Sequence, residues 1–396
     1  MVPASGGSWL QVVSHIDPKY GGLSSAVPSL GLRMAKDADM DISIAAFCSP
    51  DERYHPQGFS PQQLSFWPAG RKAWLSDREL RPALTQRLRN VDGVHIHGLW
   101  EQSTAVAAQT AHALNVPYIL SAHGMLEPWA LANKRLKKLI YGLLVERRNV
   151  ARASCLHALT RAEARHYIRF GARSPIAIIP NGVDIPRHKD PSLFLNRFPA
   201  LQGKRVILFL ARLHPKKGLD LLIESWAAIA KQHPDAHLVL AGPDSEGTQA
   251  HIEQYINQHR LQASVTFTGM LRDQMKWSAL AAAECFVLPS FSEGLSVSVL
   301  EAMGMGLPVI VTQPCNMPEV AHYDAGWEIQ PTVPELTTAL RTFLNNGEFE
   351  NRAIGLRGVS LIETRYTWPI VAGQMAEIYR WMQGGPIPHT VDLIFP

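Results

Sequence analysis

The sequence predicts an α/β protein made of two doubly wound parallel-sheet domains. Three observations lead there. The chain has 396 residues, too many for one hydrophobic core and natural for two domains. Short apolar runs alternate with longer helix-like segments along most of its length, the pattern of repeated βαβ units. Several of those runs end at a glycine or a polar turn just before a helix-like segment, and open parallel sheets bind ligands beyond such carboxyl ends.

Composition narrows the class. With 46% hydrophobic and 18% charged residues, the chain has enough apolar material for packed cores and is not of the disordered type. A net charge of +4 is too mild to demand nucleic acid, but suits anionic ligands or an acidic membrane surface. Cys48, Cys155, Cys285 and Cys315 are far apart and sit in or beside apolar runs. No C-x-x-C occurs, so zinc and redox motifs are not expected, and buried free thiols fit a reducing, cytoplasmic setting. MVPASGGSWLQVV lacks the basic-then-apolar layout of a secretory signal, and no run of 18 apolar residues is present.

In the first half, Trp9–Ser14 reads as a strand leading into Gly21-Gly22 and a helix from about Leu23 to Ala35. The glycine pair is either a turn that lets backbone approach a phosphate or an ordinary turn; it is not G-x-G-x-x-G. Asp37-x-Asp39-x-Asp41 precedes a strand at Ile42–Phe47 and reads as a solvated connection, not a metal loop. The stretch from Asp51 to Arg89 is polar and irregular. Gly93–His97 and Val116–Leu120 are further strands, ending at Gly98 and at His123-Gly124. Alternation puts His95 and His97 on one face of their strand, with at least one expected in a cleft at the strand end. From Asn133 to Ala153 the spacing predicts an amphipathic helix, with Leu136, Leu139, Ile140, Leu143 and Leu144 as its stripe and Lys134 to Arg152 supplying a basic rim. Packing of that stripe on the core is the favoured reading. The alternative is a surface that leans on anionic lipid. Strands at Ser154–Ala158 and Ile176–Pro180, with a helix start at Thr160-x-x-Glu163 between them, complete the first domain.

The stretch from Ile185 to Lys204 is irregular and marks the boundary, giving domains 1–185 and 186–367. Arg205–Leu210 restarts the strand pattern and ends in Arg212-x4-Lys217-Gly218, two cations flanking a strand-to-helix turn. Fixed cations there can neutralise a diphosphate, though in isolation surface charge is the favoured reading. Strands at Ala236–Ala241 and Val265–Thr268 end at Gly242 and Gly269. Next comes Ser290–Thr312, SFSEGLSVSVLEAMGMGLPVIVT: a polar turn with Glu293, a helix from Val297 carrying Glu301, and another strand. A helix start after a strand is a natural anion site. The plainer alternative is a capping box at Ser298-x-x-Glu301 with Glu293 as a solvated loop carboxylate. Gly384–Pro396 reads as a loose tail.

Taken together, Arg212-x4-Lys217-Gly218, Gly242-Pro-Asp244, Thr268-Gly269 and Glu293-Gly-x6-Glu301 resemble the pattern of the retaining glycosyltransferases of family 4. Gly21-Gly22, His97-Gly98, His123-Gly124 and Pro180-Asn-Gly-Val-Asp184 resemble its N-terminal half, so the likeness spans nearly the whole chain. The resemblance implies a GT-B fold, two Rossmann-like domains facing across a cleft, with the last helix (Trp368–Met382) returning to the first domain. It implies transfer from a UDP- or GDP-linked sugar to a polysaccharide, glycolipid or lipid-linked acceptor, without a metal or other cofactor. Arg212 and Lys217 would hold the diphosphate, Glu293 the donor sugar and Glu301 the ribose. Gly294, Leu295, Ser296 and Val297 would contact the donor, with Gly242, Gly269 and Met270 lining the nucleotide. Gly21 and Gly22 would approach the phosphates, and His97 and His123 would lie near the reacting sugar. The same architecture also fits a nucleotide-sugar epimerase or a non-catalytic sugar-nucleotide-binding protein.

Overall fold

The computed structural model describes residues 6–48, 53–67, 77–132, 135–244 and 246–396. Its strands are Ser8–Val13 (β1), Asp41–Phe47 (β2), Leu64–Trp67 (β3), Gly93–His97 (β4), Tyr118–Ser121 (β5), Cys155–Ala158 (β6), Ile176–Ile178 (β7), Arg205–Leu210 (β8), Ala236–Ala241 (β9), Val265–Gly269 (β10), Ala283–Leu288 (β11), Val309–Thr312 (β12), Gly326–Ile329 (β13) and Asp392–Ile394 (β14). Two compact units emerge from the contacts: residues 1–182 with 367–396, and residues 183–366.

The first unit holds one sheet in the order β14-β7-β6-β5-β4-β1-β2-β3, parallel except for the antiparallel β14 at its edge. The second holds a wholly parallel sheet in the order β10-β9-β8-β11-β12-β13. In each, the winding reverses beside the first strand, between β1 and β4 and between β8 and β11. Such reversals are where open α/β sheets leave a crevice at their carboxyl ends. The central strands are buried on both faces, which is why they read as continuous apolar runs.

Several expectations are corrected. β3 and the helix Ser192–Arg197 lie in stretches that read as irregular; both are too short for periodicity to register. The tail after Gly384 is not loose. It supplies β14, Asp392 pairs with Arg161 at 2.6 Å, and Glu377 accepts the Thr390 hydroxyl at 2.9 Å. The predicted helix over 133–153 is segmented: Arg135–Tyr141 is α-helical, Gly142–Glu146 is a π turn, and Arg147–Arg152 is α-helical again. Lys134 lies outside the described residues. The leucine stripe does not pack on the core, for Leu136 is 70% exposed and Leu144 66%. No helix among the described residues is long and apolar enough to cross a membrane.

The helix Trp368–Met382 belongs to the first unit and completes its interior. Tyr379 is fully buried, and its ring stacks on Trp9 with centroids 3.7 Å apart. Its hydroxyl starts a chain of hydrogen bonds across β4, β5 and β6 to the residue after β7. The far end settles every donor along it. The carbonyl of Ile179 can only accept, so His157 Nε2 carries a proton and donates at 2.7 Å. His157 Nδ1 must then accept from Ser121 Oγ at 2.6 Å. Ser121 in turn accepts from His95 Nε2 at 2.6 Å, and His95 Nδ1 accepts from the Tyr379 hydroxyl at 2.8 Å.

Burial keeps these imidazoles neutral. It pushes His157 down to about 4, and holds His95 well below the usual histidine range, helped by the neighbouring His157. His97 is held far down by burial and by His95, and His123 is pushed to about 3 by burial and by His157. Two buried carboxyls go the other way. Burial raises Glu146 and Glu163 to about 7 despite the backbone N–H groups of Trp100 and of Gly124 and Leu159 that they accept.

Two outcomes follow from this interior. Tyr379→Phe strips His95 Nδ1 of its donor and should lower stability by about 1–3 kcal/mol, measured by urea denaturation; an unchanged midpoint would remove the hydroxyl from the network. The second concerns pH. The four depressed imidazoles contribute stability that is present above pH 6.5 and is lost on acidification, as the unfolded chain takes protons the fold refuses. The two raised carboxyls act oppositely: their contribution is present below the unfolded value and is lost as pH rises through about 7. Four groups outweigh two, so the urea midpoint of the first unit should fall between pH 6.5 and 4.5. A midpoint that rises over that interval would contradict the neutral-histidine interior.

Candidate active site

In the second unit the turns after β8 and β11 are tied together at the reversal of the sheet. β8 ends at Leu210, and the chain passes Arg212 and His214 into a single 3-10 turn, Pro215–Lys217. Gly218 then takes a left-handed φ of 72°. A side chain there would be strained and would collide with the carbonyl oxygen of Pro289, so only glycine lets the two turns meet. The Lys216 carbonyl accepts the Phe291 N–H at 2.7 Å. Across this seam Lys217 Nζ binds Glu293 Oε1, with side chains 12% and 9% exposed. Ser290 Oγ bonds the same carboxylate oxygen at 2.8 Å. The turn after β12 holds Glu293 from a third side: its N–H donates to the Pro314 carbonyl at 2.9 Å, and its carbonyl accepts from Asn316.

The helix Val297–Gly304 follows. Its N-cap is Ser296, whose hydroxyl meets Ser298 Oγ at 3.1 Å and caps no backbone N–H. The alternative capping box at Ser298 therefore does not form, and the start of this helix keeps N–H groups suited to an anion. Glu301, buried on the second turn, contacts Lys276 Nζ at 2.6 Å. Lys276 comes from the helix Asp273–Ala282 and also lies 4.3 Å from the centre of the Trp277 ring. Gly294, Leu295 and Val297 are half-buried around this opening.

Arg212 is exposed and makes no ion pair among the described residues. It belongs to a cationic cluster all the same. His214 is held below the usual histidine range by burial first, opposed by Glu246 at 3.2 Å, and then by the charges of Arg212, Lys216 and Lys217. The remaining strand ends form a level platform. The Ala211 N–H donates to the Ala241 carbonyl at 3.0 Å, and the Gly242 N–H to the Gly269 carbonyl at 2.9 Å. A Cβ on Gly242 would strike the Ala211 carbonyl. Met270, just beyond, is 45% exposed.

In the first unit, Gly21 has a φ of 110°, and a Cβ at Gly21 or Gly22 would meet open space. His97 stands at the end of β4, and its Nδ1 is 3.0 Å from His123 Nε2. His123 has a left-handed φ of 51°, uncommon outside glycine. His97 Nε2 is buried with no partner among the described residues. An orphaned acceptor is tolerated better than an orphaned N–H, so His97 donates through Nδ1 and His123 carries its own proton on Nδ1. The turn that presents His123 is pinned by Glu163, which accepts the Gly124 N–H at 2.6 Å and the Leu159 N–H at 2.7 Å. Asp41, by contrast, accepts the Ser8 hydroxyl at 2.9 Å.

Sequence reasoning missed Lys276, Glu163 and His157. Lys276 lies in a helix with no motif around it. Glu163 looked like a helix-start residue, and in part it is, since its N–H is capped by Thr160 Oγ1 at 3.2 Å. His157 is a single polar residue in an apolar run, and only the strand order brings it beside His95 and Ser121.

Comparison with known proteins places this geometry. Residues 195–355 match the family model of group 1 glycosyl transferases, and residues 21–182 match that of a glycosyl transferase 4-like domain. A similar protein from Corynebacterium glutamicum, a GDP-mannose-dependent monoacylated alpha-(1-6)-phosphatidylinositol monomannoside mannosyltransferase, is 24% identical over 93% of this chain and 97% of its own. Another, the GDP-mannose:cellobiosyl-diphosphopolyprenol alpha-mannosyltransferase of Xanthomonas campestris, is 24% identical over 76% of this chain and 78% of its own. Among solved structures, HepE of Anabaena in complex with UDP and glucose superposes with a TM-score of 0.75 at 18% identity, covering 95% of this chain and 100% of that one. WaaG, a glycosyltransferase involved in lipopolysaccharide biosynthesis, gives 0.67 at 17% identity, covering 95% and 100%. The chain belongs to the group 1 glycosyltransferases of the family 4 type and has their GT-B fold.

Proposed function

We propose that this glycosyltransferase moves a hexosyl group, with retention, from a nucleoside-diphosphate sugar to a glycolipid, polysaccharide or lipid-linked oligosaccharide. The observation that carries the reading is the pairing of Lys217 with Glu293 and of Lys276 with Glu301 beside an uncapped helix start. Breaking the sugar–phosphate bond builds negative charge on the diphosphate. Arg212, Lys217 and the N–H groups near Val297 are the groups to receive it. Glu293 is the acceptor for donor-sugar hydroxyls and Glu301 for the ribose, each oriented by its lysine. Gly242, Gly269 and Met270 line the nucleotide in this reading. His123, Gly21 and Gly22 are substrate contacts from the first unit, with His97 behind His123.

Retention is proposed through attack on the face the leaving group vacates, with the departing phosphate taking the acceptor's proton. Neither Glu293 nor Glu301 suits the part of a glycosidase-like nucleophile, since each is already engaged with a lysine. The scheme requires no metal, because the cations above neutralise the diphosphate, and turnover should survive a chelator. The names of the two curated relatives favour GDP-mannose and a lipid-borne acceptor as the first substrates to try. The exposed Leu136–Leu144 stripe supports docking on an anionic membrane.

A thermal-shift screen of GDP-, UDP- and ADP-sugars should identify the donor, since a ligand at a hundred times its dissociation constant adds about 2.7 kcal/mol. With that donor, Arg212→Ala should lose on the order of 10²-fold in turnover; wild-type turnover would take Arg212 out of the site. A donor sugar inverted at a ring carbon without any acceptor would favour an epimerase instead. Co-sedimentation with acidic vesicles should weaken as salt rises, and failure to sediment at any salt would sink the membrane contact.

A further inference from the structure

The exposed leucine stripe opens into a cavity in the first unit. Trp100, Leu131, Leu139, Leu143 and Phe170 wall a space of about 460 Å3, inside the roughly 300–1,000 Å3 range of ligand pockets. A second concavity of about 450 Å3 shares Arg147, Arg169 and Phe170 with it and adds Arg148, Arg152 and Arg173. Among the described residues, none of these five guanidiniums makes an ion pair with a carboxylate, and all five are exposed. Arg147 lies 5.7 Å from the centre of the Phe170 ring, at the junction of the two spaces.

The apolar half is built rather than left over. The π turn rotates Glu146 inward, where its carboxylate accepts the Trp100 N–H at 2.7 Å and the Asn149 side chain at 3.3 Å. The Trp100 indole N–H donates to the Met125 carbonyl at 3.1 Å. The ring that walls the cavity is thus fixed from both sides. Gly142, the first residue of the π turn, leaves the floor low: an added Cβ would already touch Trp100 at 3.5 Å and Phe170 at 3.6 Å. π turns of this kind recur at functional sites.

An apolar pocket that runs into five unpaired guanidiniums fits one chemical class, an amphiphile with a phosphate at its polar end. Arginine binds phosphate through paired N–H groups. A soluble phosphate would leave the aromatic pocket unfilled, and a neutral lipid would leave the arginines unneutralised. The surrounding Leu136, Ile140 and Leu144, all more than half exposed, point to a bilayer as the source. We propose that the joined cavities bind one molecule of an acidic glycerophospholipid, its acyl chain along Leu131, Leu139 and Leu143 against the edge-to-face Trp100–Phe170 pair and its phosphate on Arg147, Arg169 and Arg173. This deepens the membrane contact put forward above and is independent of the identity of the transferred sugar.

The test is calorimetric titration with dihexanoyl phosphatidylglycerol below its micelle concentration, beside dihexanoyl phosphatidylcholine and inorganic phosphate. Phosphatidylglycerol should saturate at one per chain, with the other two weaker by about tenfold or more. The surface double variant Arg169→Gln/Arg173→Gln should weaken phosphatidylglycerol by a similar factor and leave the donor-induced thermal shift unchanged. Equal binding of phosphatidylcholine would reduce the site to an apolar groove. Equal binding of inorganic phosphate would reduce it to an anion basin, and an unaffected double variant would remove the arginines. Each of these overturns the proposal. Vesicle binding without saturation by the monomeric lipid would also overturn the discrete site while leaving the membrane contact standing.

Discussion

The contact between Lys217 and Glu293 is the constraint on which the candidate site depends. Both side chains are nearly buried. Removing two opposite charges from water costs several kcal/mol per ion, and their attraction offsets this only with good geometry and further hydrogen bonds. The fold supplies such a bond from Ser290, and it supplies the geometry by joining two turns through the Lys216 carbonyl and the Phe291 N–H. Gly218 is the condition for that join. A buried pair is poor evidence of stabilisation, since an apolar pair of similar volume often does as well. Its position at the reversal between β8 and β11 is better explained as construction of a site. The amine and the carboxylate are held in one place by their mutual contact, and on the function proposed above little is left to reorganise when a ligand arrives.

Much of this was legible in the sequence. β8, β9, β11 and β12 are buried on both faces and therefore appear as unbroken apolar runs. The turns that follow them are short, so Lys217, Gly218 and Glu293 could be placed at strand ends, and Glu301 on the helix after one, from spacing alone. What spacing could not supply was the partner of each charge. Glu301 meets Lys276 because two helices pack side by side, and nothing local in the sequence of Lys276 marks it. The leucines of 136–144 show a second kind of limit. Periodicity says that a helix has an apolar face, not what covers it. Here Leu136, Leu139 and Ile140 are already exposed before the π turn, and within it Leu143 and Leu144 stay outside while Glu146 is buried. β3 and β14 were lost for a simpler reason: four and three residues are too few to carry a period.

The two units solve the problem of polar groups at strand ends in different ways. The second uses charge: Lys217, Glu293, Lys276 and Glu301 are paired ions with access to solvent nearby. The first uses neutral hydrogen bonds in a dry interior. Tyr379 gives one bond, and His95, Ser121 and His157 each take one and give one, all in a single direction. Such a chain allows no member to change its protonation without disturbing the others. It keeps the imidazoles as fixed dipoles, and it leaves His97 and His123 adjacent but outside it, hydrogen-bonded to each other.

This arrangement also ties the first unit to the end of the chain. Trp9, on the first strand, is covered by Tyr379, and His95 Nδ1 accepts a hydrogen bond from the same residue. Without the helix Trp368–Met382, the sheet would expose Trp9 and leave a buried imidazole nitrogen unpaired, a cost of about 1–3 kcal/mol from the unpaired group alone. Domains of long chains generally fold as units, N-terminal ones first during synthesis. Here the N-terminal unit is complete only after the second unit has been made, because residues 183–366 separate its two pieces. The second unit, continuous in sequence and with its own core and site, needs nothing from outside itself to close. Its ion pairs can therefore form before the first unit has acquired the helix that completes its histidine network.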